Sequence, residues 1–323
     1  MPKSLTSRTL PLLALIPALT VPLWLHDPVW MDIIVLIVIH YAAALGMMIL
    51  FGYAGQISLA QAAFVGIGSY APALLTIRYE LSPWLGLPVG LLLAGIVAVL
   101  IGVPVLRLQG LYLAMATAAF NVLFIVLVSN WDSMTGGGFG LSGIPALSFF
   151  GYDLIDPQHF YYVAVVLAII LFLLAEGLVK SPTGAMFSAL SHNPRAAGLV
   201  GVPVPRLKVK AFVLSACFAA VAGFLLTQYM AVVVPESFAV PESIAFLLMV
   251  VIGGMRSPWG ALAGAAFVTV MPQLMPQSPQ GQEILYAVAF MVILMFMPKG
   301  IAGLNPRRVL RRLAARRTRT EAI

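Results

Sequence analysis

Long apolar segments with almost no charge dominate this sequence and limit its possible folds more than any other feature. A helix needs about 20 mostly apolar residues to cross a bilayer, and charged side chains are costly at the bilayer centre. Only 9% of the residues are charged, against about 25% in soluble domains, and 61% are hydrophobic. We therefore predict an all-α integral membrane protein, a polytopic bundle of about ten transmembrane helices. The predicted spans are about 10–26, 29–51, 56–77, 84–105, 110–129, 160–179, 211–233, 243–255, 257–275 and 284–298, and the eighth is short enough to be a half-helix.

The distribution of positive charge predicts the orientation of this bundle. With the N-terminus in the cytoplasm and alternating spans, 17 of the 18 Lys and Arg residues lie inside, and only Arg78 lies outside. Both termini are therefore predicted to be cytoplasmic. Residues 1–305 form the transmembrane domain, and 306–323 form a basic tail that lies against anionic lipid headgroups. No nucleic-acid binding is expected, because no soluble domain accompanies the tail.

Several kinds of chemistry are missing from the sequence. The single cysteine, Cys217, excludes an internal disulfide, and the four histidines lack metal-ligand spacing. No charged residue lies squarely in the middle of a predicted span, which argues against ion-coupled carriers and membrane enzymes. The chain also has no P-loop, so any energy from ATP has to come through a partner. We expect neither a metal, nor a cofactor, nor enzymatic activity.

A polar, basic segment at 180–210 interrupts the apolar pattern. It carries five Lys or Arg residues and no acidic residue. Ser181–Pro182 and Asn193–Pro194 each supply an N-cap followed by a proline, the usual start of a helix. We predict two short helices joined by a bend at His192–Asn193, with a helix stop at Gly201.

The first of these predicted helices has an apolar face. Met186, Phe187 and Leu190 fall on one side at helical spacing. A solvated linker needs no such face, so the pattern favours a docking surface for another protein. An amphipathic hairpin lying on the membrane surface is the alternative.

A few polar residues stand out within the apolar spans. Gln56, Ser58 and Gln61 open the third span, and Asn121 and Gln228 are weaker candidates of the same kind. Neutral amides and hydroxyls at this depth suit a path for a polar, neutral solute; the alternative is that they only hold helices together. Small residues at helical spacing also predict close helix packing, namely Ala62, Gly66, Ser69 and Ala73 in the third span and Gly260 and Gly264 in the ninth.

Several motifs occur in the order found in one transporter family. They are the segment GQISLAQAAFVGIGSY at 55–70, the glycine-rich loop 135–145, the glycines between 252 and 260, and the segment PKGIAG at 298–303. Over about residues 30–304 the sequence resembles the membrane permeases of bacterial ABC importers for branched-chain amino acids, and is most similar to the M-type of the two paired permeases.

The resemblance implies a role for the basic segment. Ser181–Pro182, with the residues that follow, matches the cytoplasmic coupling loop through which these permeases dock on their ATPase. Ala185, Ser191–His192 and Met255–Arg256 depart from the family's pattern. The match covers Ser181, Pro182, Gly184, Ala189, Asn193, Ala196, Ala197 and Gly201. Together with the apolar face and the second helix start, the predicted docking residues are Gly184, Met186, Phe187, Ala189, Leu190, Asn193, Pro194, Ala196, Ala197 and Gly201.

The resemblance also implies a function and a set of partners. The chain is expected to be an inner-membrane permease subunit that moves branched-chain amino acids by alternating access. Expected partners are two ABC ATPase subunits, a second homologous permease and a periplasmic or lipid-anchored solute-binding protein. Urea, a short-chain amide or an aromatic solute is the alternative cargo, and a self-contained carrier or channel is the alternative mechanism.

Overall fold

The computed structural model describes residues 27–149, 152–154 and 156–274, and helices make up most of them. The predicted first and tenth spans and the basic tail lie outside the described residues. In chain order the main helices are α1 Pro28–Met47, α2 Gln61–Tyr79, α3 Gly86–Val105, α4 Leu111–Ser129, α5 Pro157–Lys180, α6 Pro182–His192, α7 Pro194–Leu199, α8 Val204–Met230, α9 Val240–Gly253 and α10 Pro258–Val270.

Short elements connect these helices. A π-helix, Met48–Tyr53, extends α1, and single helical turns lie at Pro83–Leu85, Asp132–Thr135, Gly137–Phe139, Pro235–Phe238 and Met271–Leu274. Two small antiparallel ladders pair β1 (Leu141–Ser142) with β4 (Val232–Val233), and β2 (Ser148–Phe149) with β3 (Tyr152–Asp153).

The apolar helices confirm an all-α membrane protein. Within the described part of the chain, five segments are long and apolar enough to cross a membrane, namely Pro28–Tyr53, Pro83–Val105, Leu111–Ser129, Pro157–Lys180 and Val204–Met230. Helix α9 is apolar but has only 14 residues. At 1.5 Å per residue it covers about 21 Å, less than the hydrocarbon core of about 30 Å. The eighth predicted span is therefore short, as its sequence indicated.

The third predicted span begins later than the sequence suggested. Helix α2 starts at Gln61, and residues 55–60 are irregular rather than helical. Gly55 has a φ of +67°, a left-handed conformation that ends the π-helix and that other residues rarely adopt. Ser58 Oγ then accepts a hydrogen bond from the Ala60 N–H at 3.2 Å. Such non-helical backbone is tolerated at depth only where protein surrounds it, and Gln56 and Ser58 are both buried.

Helices α2 and α8 pack closely at the centre of the bundle. A Cβ atom placed on Gly68 would lie 2.1 Å from the Ala220 carbonyl oxygen, and one on Gly223 would lie 1.9 Å from that of Val65. Ser69 Oγ donates a hydrogen bond to the Gly223 carbonyl at 3.0 Å. Of the predicted small-residue face of the third span, Ser69 takes part in this contact, whereas Gly66 lies against the Phe124 ring of α4. The closest approach to α8 is made by Gly68, which was not predicted.

Helices α9 and α10 use the same kind of contact. A Cβ on Gly253 would lie 1.8 Å from the Gly260 carbonyl oxygen, and one on Gly264 would lie 1.8 Å from that of Met249. This confirms the predicted close packing at Gly260 and Gly264, and it joins the two short helices into one unit.

The glycine contacts lead to a stability prediction. Gly223→Ala is expected to destabilise the protein by about 1–3 kcal/mol, because the added methyl group has no space. Gly95→Ala is the matched control, since no atom of the residues that the structure describes lies within 4 Å of its added Cβ. The measurement is thermal denaturation in detergent followed by size-exclusion chromatography. Only Gly223→Ala should show a lower midpoint of thermal unfolding than wild type. Equal midpoints for the two variants would contradict the close α2–α8 contact.

The loops divide between two ends of the bundle. At one end, Lys208 Nζ donates to the Leu106 carbonyl at 3.3 Å, and Arg256 Nη2 donates to Ser191 Oγ at 2.8 Å. At the other end, strands β1 and β4 join the loop after α4 to the end of α8. The α6–α7 hairpin (182–199) and the basic residues of the described loops thus lie together at one end, which we call the basic end. Arg78, the predicted exception, donates to the Ser133 carbonyl at the other.

Candidate functional site

The α6–α7 hairpin forms with the predicted caps. Ser181 Oγ accepts a hydrogen bond from the Gly184 N–H at 3.3 Å. Asn193 Oδ1 accepts from the N–H groups of Arg195 and Ala196 at 3.0 and 3.1 Å. Gly201, with a φ of +83°, follows the end of α7. The two helices and the bend between them are confirmed.

The apolar face of this hairpin points into its own chain, which corrects the prediction of a free docking face. Phe187 and Leu190 are each only 1% exposed and belong to the core cluster, against which Met186 is half-buried. A Cβ on Gly184 would lie 2.3 Å from the Val179 carbonyl oxygen, and Ala197 is also buried. The apolar residues are needed to anchor the hairpin to the ends of the spans, so they are not available to a partner in this conformation.

A different edge of the hairpin is free. Leu199 is 90% exposed and Val200 is 79% exposed, next to the exposed Gly201. Of the predicted docking residues, Ala189, Asn193, Ala196 and Gly201 are exposed, and Pro194 is half-buried. We call seven of the exposed residues the free edge: Ala185, Ala189, Asn193, Ala196, Leu199, Val200 and Gly201. His192, Arg195 and Gly198 beside them are exposed as well. Leu199 and Val200 were not predicted as docking residues, although two apolar residues just before a helix-stop glycine were a usable signal.

Gln61 acts as a link between helices. Its Nε2 donates to the Ala43 carbonyl at 3.0 Å, and its Oε1 accepts from Ser215 Oγ at 2.9 Å. Both ends of the amide are therefore used in joining α2 to α1 and α8. This matches the alternative that the polar residues of the third span hold helices together.

Gln61→Leu is accordingly expected to lower stability by about 1–3 kcal/mol, because it leaves the Ser215 hydroxyl and the Ala43 carbonyl without their partner. Thr76→Val is the control, since among the described residues the Thr76 hydroxyl donates only within its own helix, to Pro72 and Ala73. Thermal denaturation in detergent measures both. A Gln61→Leu variant as stable as wild type would show that the link is dispensable.

Asn121 is different, because part of its amide is unused. The residue is fully buried, and its Nδ2 donates to Ser243 Oγ at 3.4 Å. Ser243 Oγ also accepts from the Ala62 N–H at 2.9 Å, so the start of α9 lies between α2 and α4. Among the described residues, Asn121 Oδ1 has no hydrogen-bond partner. An unused buried acceptor costs stability, so it suggests a role other than packing.

The predicted path residues do not form a single cluster. Gln56 donates to the Lys208 carbonyl at 3.4 Å and so lies toward the basic end, and Ser58 lies in the same irregular segment. Gln228 is buried near the opposite end of α8, and neither atom of its amide is hydrogen-bonded within the described part of the chain. Gln61 and Asn121 are linked indirectly, because Ala62, beside Gln61, and Asn121 both contact the Ser243 hydroxyl.

Aromatic rings continue from Asn121 along the seam between α2 and α4. The ring of Tyr70 lies 6.5 Å from that of Phe124 and 6.2 Å from that of Phe238. A Cβ on Gly66 would lie 2.5 Å from the Phe124 ring, so the rings rest on the backbone of α2. The Tyr70 hydroxyl is buried, and no hydrogen bond is found for it within the described residues. The lining of the seam thus changes from amide to aromatic along its length. The sequence did not predict this, because aromatic residues are common throughout its apolar spans.

Comparison with known proteins identifies the family of this chain. The family model described as "Branched-chain amino acid transport system / permease component" matches residues 29–297. The chain belongs to this family. This permease is 32% identical over 293 residues to the high-affinity branched-chain amino acid transport system permease protein LivM of Escherichia coli (strain K12), covering 84% of this chain and 69% of the relative. No solved structure matches it.

Other relatives widen the comparison. LivM of Salmonella typhimurium (strain LT2) is 31% identical over 293 residues, with the same coverage of both chains. The fructose import permease protein FrcC of Rhizobium meliloti is 28% identical over 249 residues, covering 73% of this chain and 68% of the relative. The family and the apolar helices together identify a multi-pass protein of the bacterial cytoplasmic membrane.

Proposed function

We propose that this permease is a membrane subunit of an ATP-driven ABC importer for branched-chain amino acids. It forms part of the translocation path and works by alternating access. Separate ABC ATPase subunits hydrolyse the ATP, a second homologous permease completes the path, and a periplasmic or lipid-anchored binding protein delivers the solute. The names of the LivM relatives support the solute.

The proposed topology has ten spans, with both termini in the cytoplasm. The described loops support it, because their basic residues gather at the end that carries the α6–α7 hairpin. In this arrangement residues 1–305 form the permease domain, and the tail 306–323 lies against lipid headgroups.

The free edge of the hairpin is the observation that carries the proposed ATPase contact. The hairpin is anchored on one side by Phe187 and Leu190 and exposes Leu199 and Val200 on another. Fully burying a side chain of this size stabilises a contact by about 1.5–3 kcal/mol. Small neighbours such as Ala189 and Ala196 allow a partner surface to come close. A hairpin that is rigidly held and apolar at its edge suits the transfer of movement from a docked ATPase.

The α2–α4 seam is the proposed solute path. Asn121 Oδ1 can accept a hydrogen bond from the ammonium group of an amino acid. The rings of Phe124, Phe238 and Tyr70 offer contacts for an apolar side chain and close the seam in this conformation. Gln56 and Ser58 lie further toward the basic end, where a solute would leave the path.

Uptake of labelled leucine in a host strain that lacks this gene tests the proposal. Complementation with this gene is expected to restore leucine uptake. Isoleucine and valine should compete with leucine, and urea, acetamide and fructose should not. Competition by urea or acetamide instead would assign a different solute. Uptake by the purified chain alone in liposomes, without ATP, would replace the importer with a self-contained carrier.

A further inference from the structure

We infer that Arg256 is a positioning residue that passes movement of the α6–α7 hairpin to the solute path. This inference rests on the proposed function, in which the hairpin receives the movement of the ATPase. Arg256 lies in the loop between α9 and α10, at the basic end.

Arg256 joins three parts of the chain at once. Its Nη2 donates to Ser191 Oγ at 2.8 Å, and its Nε donates to the Gly52 carbonyl at 3.1 Å. Its own carbonyl accepts from the Tyr53 hydroxyl at 2.8 Å. Ser191 is in the hairpin, and Gly52 and Tyr53 are at the end of the π-helix. The planar guanidinium holds two acceptors in fixed directions, which the single ammonium group of lysine does not reproduce.

Close backbone contacts leave these parts little freedom to move separately. A Cβ on Gly52 would lie 1.6 Å from the Met255 carbonyl oxygen, and one on Gly55 would lie 2.9 Å from the Cβ of Ser191. A shift of the hairpin by about an ångström therefore has to displace the α9–α10 loop and the segment around Gly55, or break the Arg256 contacts.

The other end of α9 lies in the solute path. Ser243, in the first turn of α9, contacts both Asn121 and Ala62 through its hydroxyl. The 14-residue helix is short and stiff, and Gly253, Gly260 and Gly264 hold it tightly against α10. A pull at Arg256 is thus transmitted along α9 to the amide of Asn121. Coupling between the ATPase and the solute path requires an element with two arrangements. The unit of α9, α10 and the loop between them is this element, and the docked ATPase favours one arrangement over the other.

The test compares Arg256→Gln, Arg256→Lys and Ser191→Ala with the control Arg107→Gln. Arg107 is exposed, carries the same charge and follows Leu106, whose carbonyl accepts from Lys208 at the same end; within the described residues it makes no side-chain hydrogen bond. Each variant is purified with its ATPase and permease partners and reconstituted in liposomes with the solute-binding protein. Retained ATPase subunits, ATP hydrolysis without solute, and leucine transported per ATP are measured.

Arg256→Gln is expected to keep its ATPase subunits and basal hydrolysis but to transport at least about five-fold less leucine per ATP, within the usual range of coupling between sites. Ser191→Ala should show a smaller loss, because it removes only the Ser191 contact, whereas Arg256→Gln also removes the contact with Gly52. The two losses should not add in the double variant, since both changes remove the Arg256–Ser191 hydrogen bond. Arg256→Lys should be intermediate, and Arg107→Gln should match wild type.

An unchanged ratio of leucine transported to ATP hydrolysed in Arg256→Gln would overturn the inference. Loss of the ATPase subunits from this variant would also overturn it, because Arg256 would then belong to the docking surface. If Arg256→Gln fails to fold, the inference is tested with Arg256→Lys and Ser191→Ala instead. Wild-type amounts of leucine transported per ATP in both of these variants would overturn the inference. Failure of the wild-type complex to transport leucine with ATP would instead overturn the proposed function.

Discussion

Replacing Leu199 and Val200 together by glutamate is expected to remove the ATPase subunits from the purified permease. The change takes away the burial of two apolar side chains, about 1.5–3 kcal/mol each. It also places two charges in the contact. Affinity should therefore fall at least about 100-fold, and leucine uptake should be lost. Both side chains are largely exposed, so the variant should keep its thermal stability in detergent.

Phe139→Glu is the matched control for this experiment. Phe139 is 96% exposed in the loop at the end of the bundle opposite the hairpin, so the control places a charge on an equally free apolar side chain. It should retain the ATPase subunits. Gly184→Asp is unsuitable, since its side chain would collide with the Val179 carbonyl and disrupt the hairpin. If the Leu199 and Val200 variant keeps its ATPase subunits, the free edge is not the docking surface, and contact with lipid headgroups becomes the better explanation.

Asn121→Leu is expected to lower leucine uptake at least about ten-fold without loss of stability. Asn121→Leu loses the 3.4 Å hydrogen bond to Ser243 but also removes an unpaired buried acceptor, which costs about 1–3 kcal/mol, so the melting temperature should stay close to that of wild type. Transport should fall because the solute loses a polar contact in an otherwise apolar seam. The combination of retained stability and lost uptake separates a path residue from a structural one.

Asn130→Leu is the control on the same helix. Asn130 is exposed just after the end of α4, and in the part of the chain that the structure describes its Nδ2 donates only to the Val126 carbonyl. Its replacement should change neither uptake nor ATPase retention. Normal uptake by Asn121→Leu, or a fall in stability like that expected of Gln61→Leu, would mean that Asn121 only packs α4 against α9.

The features that the sequence predicted best are local ones. The caps at Ser181 and Asn193 depend on the residues beside them, and both helices of the hairpin begin where predicted. The close packing at Gly260 and Gly264 also follows from spacing within one helix. Apolar length alone sufficed for most of the described spans.

The features that the sequence did not predict depend on distant parts of the chain. Phe187 and Leu190 have the pattern of a docking face, but a pattern cannot distinguish a partner's surface from the chain's own spans. Gln61 and Asn121 are both buried amides, and only their neighbours show that one is fully hydrogen-bonded and the other is not. Arg256 looked like an isolated departure from the family's pattern until the structure placed it against Ser191, another such departure.

ATP-dependent leucine uptake by the reconstituted complex tests the central claim most directly. The complex is purified from its native host through a tag on this permease, placed in liposomes with ATP enclosed, and supplied with labelled leucine and the solute-binding protein. The predicted result is leucine uptake that requires ATP, is lost in the Leu199 and Val200 glutamate variant, and is inhibited by competing isoleucine. Uptake that proceeds equally without ATP, or a complex that contains no ATPase, would contradict the account.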